Sequence, residues 1–308
     1  MEIKKFFNNE TSYLKHSLIV SKLKDKIKNY QNLEIILSEL PKGSILVGGF
    51  IRDLILDRLS LYPDIDIVIP NNSLDIGKDI AEKFSGKFLI LDQDRNIVRI
   101  IFRNFTIDIA SQTHELLVED LKSRDFTINS VGFSFNDGKL IDPANGIRDM
   151  NDSLLRSFRD ENLLHDPLRI LRCFRFVSEL NFHIEPRILE FIELNKFRLK
   201  TVSVERIQYE LKRIVQGKEA LKTVEFLNEI KIFDWTQSYE NNHSNKLLHI
   251  NFDNFLQDEI DQFFPIAYLK ELLTEPVLTK FKFSKSHTLA INSLRRWSEK
   301  LKEKSIMH

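Results

Sequence analysis

The 308-residue sequence has little or none of several features that would define a protein's class. Its single cysteine, Cys173, excludes an internal disulfide framework and a cysteine-rich zinc site, and is typical of a reducing compartment. We expect Cys173 to be a buried apolar side chain. Lys plus Arg and Asp plus Glu number 45 each, so no overall positive field attracts nucleic acid or an anionic membrane. Any site for a polyanion must therefore be a local patch.

The sequence also lacks long apolar runs. No window approaches the roughly 18 uncharged apolar residues that a membrane-spanning helix needs. The amino terminus has no apolar core followed by a small-residue cleavage site, as a secretory signal would have. We therefore predict a cytoplasmic protein without a membrane partner. With 42% hydrophobic and 29% charged residues, the chain has the composition of a folded protein.

Two kinds of hydrophobic pattern divide the chain. Residues 15–40 carry apolar residues at helical spacing and end in a Pro-Lys-Gly helix stop. From Ser44 to about residue 142, short apolar runs alternate with helical segments, which indicates an α/β domain. The runs NIVRIIF and FTIDIAS are separated by two residues and predict a hairpin. The remaining predicted elements of this part are helices over 50–59 and 73–85 and strands over 65–69 and 87–91.

Strand signals largely disappear beyond Asp142-Pro143, and helical periodicity dominates. The helices predicted there cover residues 148–156, 166–180, 185–195, 203–216 and 218–230. We therefore expect the second half to be all-helical.

Two aspartates, Asp64 and Asp66, interrupt the apolar run DIDIVI. Side chains alternate along a strand, so both carboxylates point to the same face. Such like charges repel unless a divalent cation lies between them, and Mg²⁺ prefers oxygen ligands. Asp108, in FTIDIAS, could add the third acid of a two-metal phosphoryl-transfer site. The alternative for an isolated Asp-x-Asp is a turn cap followed by a solvated strand end.

A pair of glycines, Gly48-Gly49, lies between the first predicted strand and a helix, with Arg52 one turn into that helix. Missing side chains at this position let a phosphate approach backbone N–H groups at the positive end of the helix. Two glycines alone are weak evidence, because turns use them often. Followed by Asp-x-Asp on a strand, they form a much more specific pattern.

The ordered motifs LVGGFIRDLILDR, DIDIVI, SRDFTINS, IDPANGIRDM, HDPLRILRCFRF and SVERIQYEL resemble those of the class II tRNA nucleotidyltransferase and bacterial poly(A) polymerase family. The resemblance extends from about Gly43 to Gly217. It implies an α+β fold, in which a polymerase-beta-like nucleotidyltransferase α/β head precedes an all-helical neck, body and tail. It also implies four divisions of the chain. Residues 1–40 would form a helical extension, and residues 41–145 the catalytic head. Residues 146–217 would form the neck with a nucleotide-selecting helix, and residues 218–308 an RNA-binding body and tail.

The resemblance also implies roles for individual residues. Those assigned to catalysis are Asp64, Asp66 and Asp108, the first two as Mg²⁺ ligands. Those assigned to the incoming nucleotide are Gly48, Gly49, Arg52, Arg124, Asp125, Asp166, Arg169, Arg172 and Arg175. Among these, Asp125 would contact the ribose hydroxyl, and Asp166 and Arg169 would read the base edge. Glu205 and Arg206 would stiffen the neck.

The segment around Asp166 also fits a simpler interpretation. Asp before Pro167 is an ordinary helix N-cap, and arginines three residues apart often form a solvated face. An Asp166 oxygen that caps its own helix cannot also read a base. His165 stands where the family usually has Glu, and Ser123 stands where it usually has a second Arg.

The activity implied by the resemblance is transfer of CMP from CTP to the 3′ end of tRNA, with release of pyrophosphate. The sequence leaves open whether AMP from ATP is added as well. Ten residues separate Asp108 from Glu119, a short loop that resembles CC-adding members. The alternatives are a poly(A) polymerase or A-adding enzyme and, in another class, a catalytically inactive RNA-binding relative.

Overall fold

The computed structural model describes residues 3–113, 116–236 and 283–306, together with 265–269, 272–273, 278 and 281. The chain divides into two units, Met1–Asp152 with Arg156–Arg159, and Ser153–Leu155 with Asp160–His308. Most of the predicted body and tail from 237 to 282 lies outside the described residues. Within the described ranges, no helix has both the length and the apolar character that crossing a membrane requires.

A seven-stranded mixed sheet lies at the centre of the first unit. Its strands are β1 (Ile45–Val47), β2 (Asp64–Ile69), β3 (Lys87–Asp92), β4 (Ile97–Ile101), β5 (Thr106–Ser111), β6 (Gly132–Ser134) and β7 (Lys139–Ile141). Their order across the sheet is β3-β4-β5-β2-β1-β6-β7. The pair β2–β5 is parallel, and the other neighbours are antiparallel. The predicted hairpin is confirmed as β4–β5, whereas the three-residue strands β6 and β7 were not predicted as separate elements.

Helices surround this sheet. They are α1 (Ile3–Lys28), α2 (Leu33–Glu39), α3 (Gly49–Ile55), α4 (Ser73–Lys83), α5 (Leu117–Lys122) and α6 (Gly146–Asn151). Helix α4 packs against β3 and β4, and a Cβ at Gly77 would lie 2.6 Å from a Val98 methyl, so only glycine allows this approach. The helix predicted over 50–59 ends at Ile55, because Asp57 adopts a left-handed φ of 53°.

The two faces of the sheet are covered unequally. Side chains of Ile65 and Ile67 on one face of β2 are fully buried, as strand alternation predicts. On the opposite face, Val47 and Val68 form a buried cluster with Leu121 of α5. The aspartates of β2 lie on this second face, where burial is incomplete. The sheet therefore keeps an accessible region beside a packed one.

The second unit is mainly helical. Its described helices are α7 (Glu161–His165), α8 (Arg169–Leu180), α9 (Pro186–Asn195), α10 (Val204–Val215), α11 (Ala220–Glu229) and α12 (Lys285–Ile306). The prediction of an all-helical second half is wrong in one detail, because β8 (Leu154–Leu155) pairs in parallel with β9 (His183–Ile184). Two-residue strands are too short to produce a period-two pattern. The helix predicted over 148–156 ends at Asn151, since Ser153 has a φ of 52°.

A buried ion pair joins α8 to α10. Arg175 and Glu210 are only 5% and 2% exposed, and their side chains approach to 3.1 Å. A second acid, Glu179 on α8, lies 3.9 Å from the Arg175 guanidinium. Burial lowers the pKa of Arg175 to about 10 and raises the pKa of Glu210. Each charge therefore depends on the other within this core.

We expect Glu210→Ala to lower the free energy of unfolding by about 3–5 kcal/mol, because it leaves a buried guanidinium without its closest acid. Replacing both members, as in Arg175→Met with Glu210→Met, should recover most of this loss. Urea unfolding of both variants checks the expectation, with exposed Glu229→Ala as the control. A loss below about 1 kcal/mol for Glu210→Ala would contradict it.

Candidate active site

The predicted acids lie together on one row of the head sheet. Asp66 on β2 is the register partner of Asp108 on β5, and Asp108 is in turn the partner of Arg99 on β4. Asp64, two residues before Asp66, shares its face and accepts a hydrogen bond from the Thr106 hydroxyl. The predicted common face of Asp64 and Asp66 is thus present, and Asp108 joins it from the neighbouring strand.

Asp66 has the least favourable electrostatic position in this row. Burial raises the pKa of its carboxyl to about 6, and the like charges of Asp108 and Asp64 act in the same direction. Arg124 and the backbone N–H of Gly49, which hydrogen-bonds the carboxylate, lower the pKa. Near neutral pH the row therefore carries crowded negative charge, which a cation would stabilise.

The turn before α3 brings backbone close to Asp66. Gly48 has a φ of 76°, a left-handed conformation that favours glycine. A Cβ at this position would lie 2.7 Å from Asp66 Oδ2 and 3.3 Å from Arg124 Nη1. At Gly49 a Cβ would meet only Arg52 Nη2, at 3.6 Å. Of the two glycines, Gly48 is the one whose missing side chain the site requires.

Arg52 and Asp125 belong to one buried hydrogen-bond network. The Arg52 guanidinium donates two bonds to Asp53, at 2.8 and 2.9 Å, and one to Asn129 Oδ1, at 2.8 Å. Asn129 Nδ2 donates to Asp125 Oδ1 at 2.9 Å, and the same oxygen accepts the backbone N–H of Phe126. These bonds connect the helix after the glycines to the loop that carries Arg124 and Asp125.

Sequence reasoning missed two residues of this site, Asn129 and Arg99. Arg99 donates to both oxygens of Asp108, Nε to Oδ1 at 2.7 Å and Nη2 to Oδ2 at 2.8 Å. Its only signal in the sequence is a single charge in the apolar run NIVRIIF. Asn129 could have been identified from its position in the motif SRDFTINS, four residues after Asp125.

The second unit holds the other predicted nucleotide-binding residues. Asp166 Oδ1 accepts the backbone N–H of Leu168 at 3.2 Å, and Oδ2 pairs with Arg206 Nη2 at 2.5 Å. Asp166 Oδ1 thus stabilises the turn before α8, but α8 begins at Arg169 after Leu168 and has no side-chain cap, so the N-cap interpretation of Asp166 is wrong. Arg169 Nη1 donates to the backbone carbonyl of Asn162 at 2.7 Å. Arg206 joins α10 to the segment before α8, and Glu205 lies exposed in the first turn of α10, so their role in stiffening the neck stays a prediction.

The two later arginines of α8 differ in accessibility. Arg172 is partly exposed, with its guanidinium 5.8 Å from the centre of the Phe176 ring. Arg175 is buried, lies 4.5 Å from the same ring and pairs with Glu210. The expectation that Arg175 holds the nucleotide conflicts with this placement, because its charge is already used inside the unit.

The acids of the head fit a divalent cation in part. Asp64 and Asp66 supply hard oxygen donors on a partly open face, and the like charges of Asp108 and Asp64 add to the burial that raises the pKa of Asp66. Asp108 is held at both oxygens by Arg99. Across the described residues, no group of three or more His, Cys, Asp or Glu side chains is arranged to hold a metal ion. Asp64 and Asp66 stay the predicted Mg²⁺ ligands.

Two family models match this chain. Residues 44–156 match the poly(A) polymerase head domain, and residues 181–237 match the probable RNA- and SrmB-binding site of polymerase A. Over these two ranges the chain is similar to the poly(A) polymerase family. The head-domain match contains the whole row of acids, both glycines and the loop of Arg124 and Asp125.

Individual curated proteins and solved structures are similar to this chain as well. A CC-adding tRNA nucleotidyltransferase from Synechocystis sp. is 37% identical over 180 residues, 58% of this chain and 43% of the relative. The chain thus spans less than half the length of this curated relative. A CCA-adding enzyme solved with CTP is 30% identical to this chain, with a TM-score of 0.57. The matched region covers 63% of this chain and 47% of the CCA-adding enzyme. A CCA-adding enzyme solved with ATP has a TM-score of 0.72 at 24% identity, over 93% and 74% of the two chains, and shows the shared fold.

We expect Gly48→Ala to destabilise the head by about 1–3 kcal/mol, because a methyl group there meets a carboxylate oxygen and strains the backbone. Gly49→Ala is the matched control and should change stability by less than about 0.5 kcal/mol. Urea unfolding measures both. Equal effects of the two substitutions would show that the close approach to Asp66 is not selective for Gly48.

Asp66→Asn should stabilise the chain at pH 8 in the presence of EDTA. A carboxyl whose folded pKa is raised contributes stability that is fully present below its unfolded pKa and is lost as pH rises through about 6. Asparagine avoids this loss, so we expect a gain of about 2 kcal/mol at pH 8 and almost none near pH 4. Chemical unfolding at both pH values, with exposed Asp94→Asn as the control, checks this. A variant less stable than the wild type at pH 8 would contradict it.

Proposed function

We propose that this chain is a template-independent nucleotidyltransferase that adds CMP from CTP to the 3′ end of tRNA and releases pyrophosphate. The observation that carries the proposal is the row of three acids beside the Gly48 turn, within a match to the head-domain family. The Synechocystis relative is a CC-adding enzyme, and the short connection between Asp108 and Glu119 in this chain supports the same activity. AMP addition from ATP is the second candidate.

Under this proposal, Asp64 and Asp66 hold Mg²⁺. The ion would lower the pKa of the attacking 3′ hydroxyl and stabilise charge on the transferring phosphate. The backbone at Gly48 and Gly49 would lie against the triphosphate, with Arg124 offsetting its charge. Asp125, fixed by Asn129, would contact the ribose.

The second unit would select the base and hold the RNA. Asp166 and Arg169 remain our candidates for base selection, although their protein partners must be exchanged or shared when a base binds. Arg172 would assist at the nucleotide, whereas Arg175 would stabilise the unit through Glu210. Residues 181–237 match a family named for RNA binding, which supports contact with the tRNA.

The test uses tRNA transcripts that end before CCA or after CC, with CTP and ATP supplied separately. We expect CTP alone to add two nucleotides and ATP to add none to the CC-ending transcript. Extension of that transcript by one AMP would favour an A- or CCA-adding enzyme, and a long tail from ATP would favour a poly(A) polymerase. No Mg²⁺-dependent incorporation with any transcript would favour an inactive RNA-binding relative.

Asp64→Ala and Asp66→Ala should each lower the rate of transfer by roughly a thousandfold, which corresponds to about 4 kcal/mol of lost transition-state stabilisation. The fold should persist, because both side chains lie on a partly open face of β2. Asp94→Ala is the control and should transfer normally. Near-normal turnover in either β2 variant would exclude these residues as metal ligands.

A further inference from the structure

Arg99 holds the third acid of the row in a two-pronged contact. Its Nε and Nη2 atoms lie 2.7 and 2.8 Å from the two oxygens of Asp108, so both oxygens accept bonds from the same planar group. Such forked pairs are among the strongest and most oriented ion pairs in proteins. The contact follows from the sheet register, because Arg99 and Asp108 are partners across β4–β5.

The Arg99–Asp108 pair is not sealed from solvent. About a third of the Arg99 side chain and a fifth of the Asp108 side chain are exposed. Leu89, the register partner of Arg99 on edge strand β3, is exposed as well. The Arg99 guanidinium is therefore not needed to fill a core, unlike that of Arg175.

Charge in the row explains what Arg99 does. The hydrogen bonds to Asp108, together with the charges of Asp108, Asp64 and Asp66, raise the pKa of Arg99. Burial raises the pKa of Asp66, and the charges of Asp108 and Asp64 add to this effect. Arg99 offsets the charge of Asp108, and Arg124 offsets that of Asp66. These two fixed positive charges offset part of the negative charge that would otherwise attract a cation to the row.

We propose that Arg99 is a positioning residue that neutralises Asp108 and thereby lowers the affinity of the acid row for a free divalent cation. The inference rests on the proposed function, since it concerns the same site. Arg99 does not contact the reacting atoms under this proposal. It sets the charge and orientation of a carboxylate that does.

The test is direct binding of Mn²⁺, followed by electron paramagnetic resonance of the free ion, in the absence of nucleotide and RNA. We expect Arg99→Gln to lower the Kd for Mn²⁺ about tenfold, because a positive charge close to the row is removed. Arg99→Lys keeps the charge but not the fork and should give a smaller change. Arg95→Gln, on the same hairpin and paired only loosely with Asp92 at 3.7 Å, is the matched control and should bind like the wild type.

A second arm isolates the Asp108 contact. In an Asp108→Asn background, adding Arg99→Gln should change the Kd less than twofold, because the coupling partner is gone. Thermal unfolding in EDTA establishes that each variant is folded, and Arg99→Met serves as the test if Arg99→Gln is not. Unchanged or weaker Mn²⁺ binding in a folded Arg99→Gln or Arg99→Met variant would overturn the proposal.

The two proposals fail in distinguishable ways. A wild-type chain that transfers no nucleotide, but whose Arg99→Gln variant binds Mn²⁺ more tightly, would overturn the proposed function alone. A chain that transfers CMP normally, but whose Mn²⁺ affinity does not respond to Arg99→Gln, would overturn the role of Arg99 alone.

Discussion

Repulsion between carboxylates on adjacent strands is the interaction on which the head depends. Neighbouring strands lie about 4.8 Å apart, so Asp66 and Asp108 at the same register cannot both be charged without compensation. Arg99 and Arg124 supply part of that compensation from the protein. Burial and the remaining repulsion both raise the pKa of Asp66. The divalent cation that we propose for this face would offset the repulsion.

The backbone geometry at Gly48 determines how closely the main chain approaches the Asp66 carboxylate. The left-handed turn at Gly48 lets main chain approach Asp66 more closely than any other residue would allow. The network from Arg52 through Asn129 to Asp125 then fixes the loop that carries Arg124. The buried hydrogen bonds of this network fix the loop residues of the site, while the sheet carries the acids.

Sequence patterns predicted the head better than the second unit. Alternation placed Asp64 and Asp66 on one face, because the period of a strand is exactly two residues whatever the neighbours are. The arginines of α8 are three residues apart, so successive ones lie at different positions around the helix. This spacing could not show which arginine points inward. Arg175 proved to be buried against Glu210, and both Asp166 oxygens have protein partners. Short elements such as β8 escaped prediction because two residues carry no periodic signal.

The sequence by itself determined the succession of elements along the chain from β1 to β5, the glycine turn and the acids that share a face. These depend on local rules of backbone conformation and alternation, which the chain carries residue by residue. Only the tertiary structure decided that β5 lies beside β2 and β4 beside β5, and therefore that Arg99 meets Asp108. Strand order and register depend on the packing of distant segments, so the charge balance of the site cannot be derived from any one segment alone.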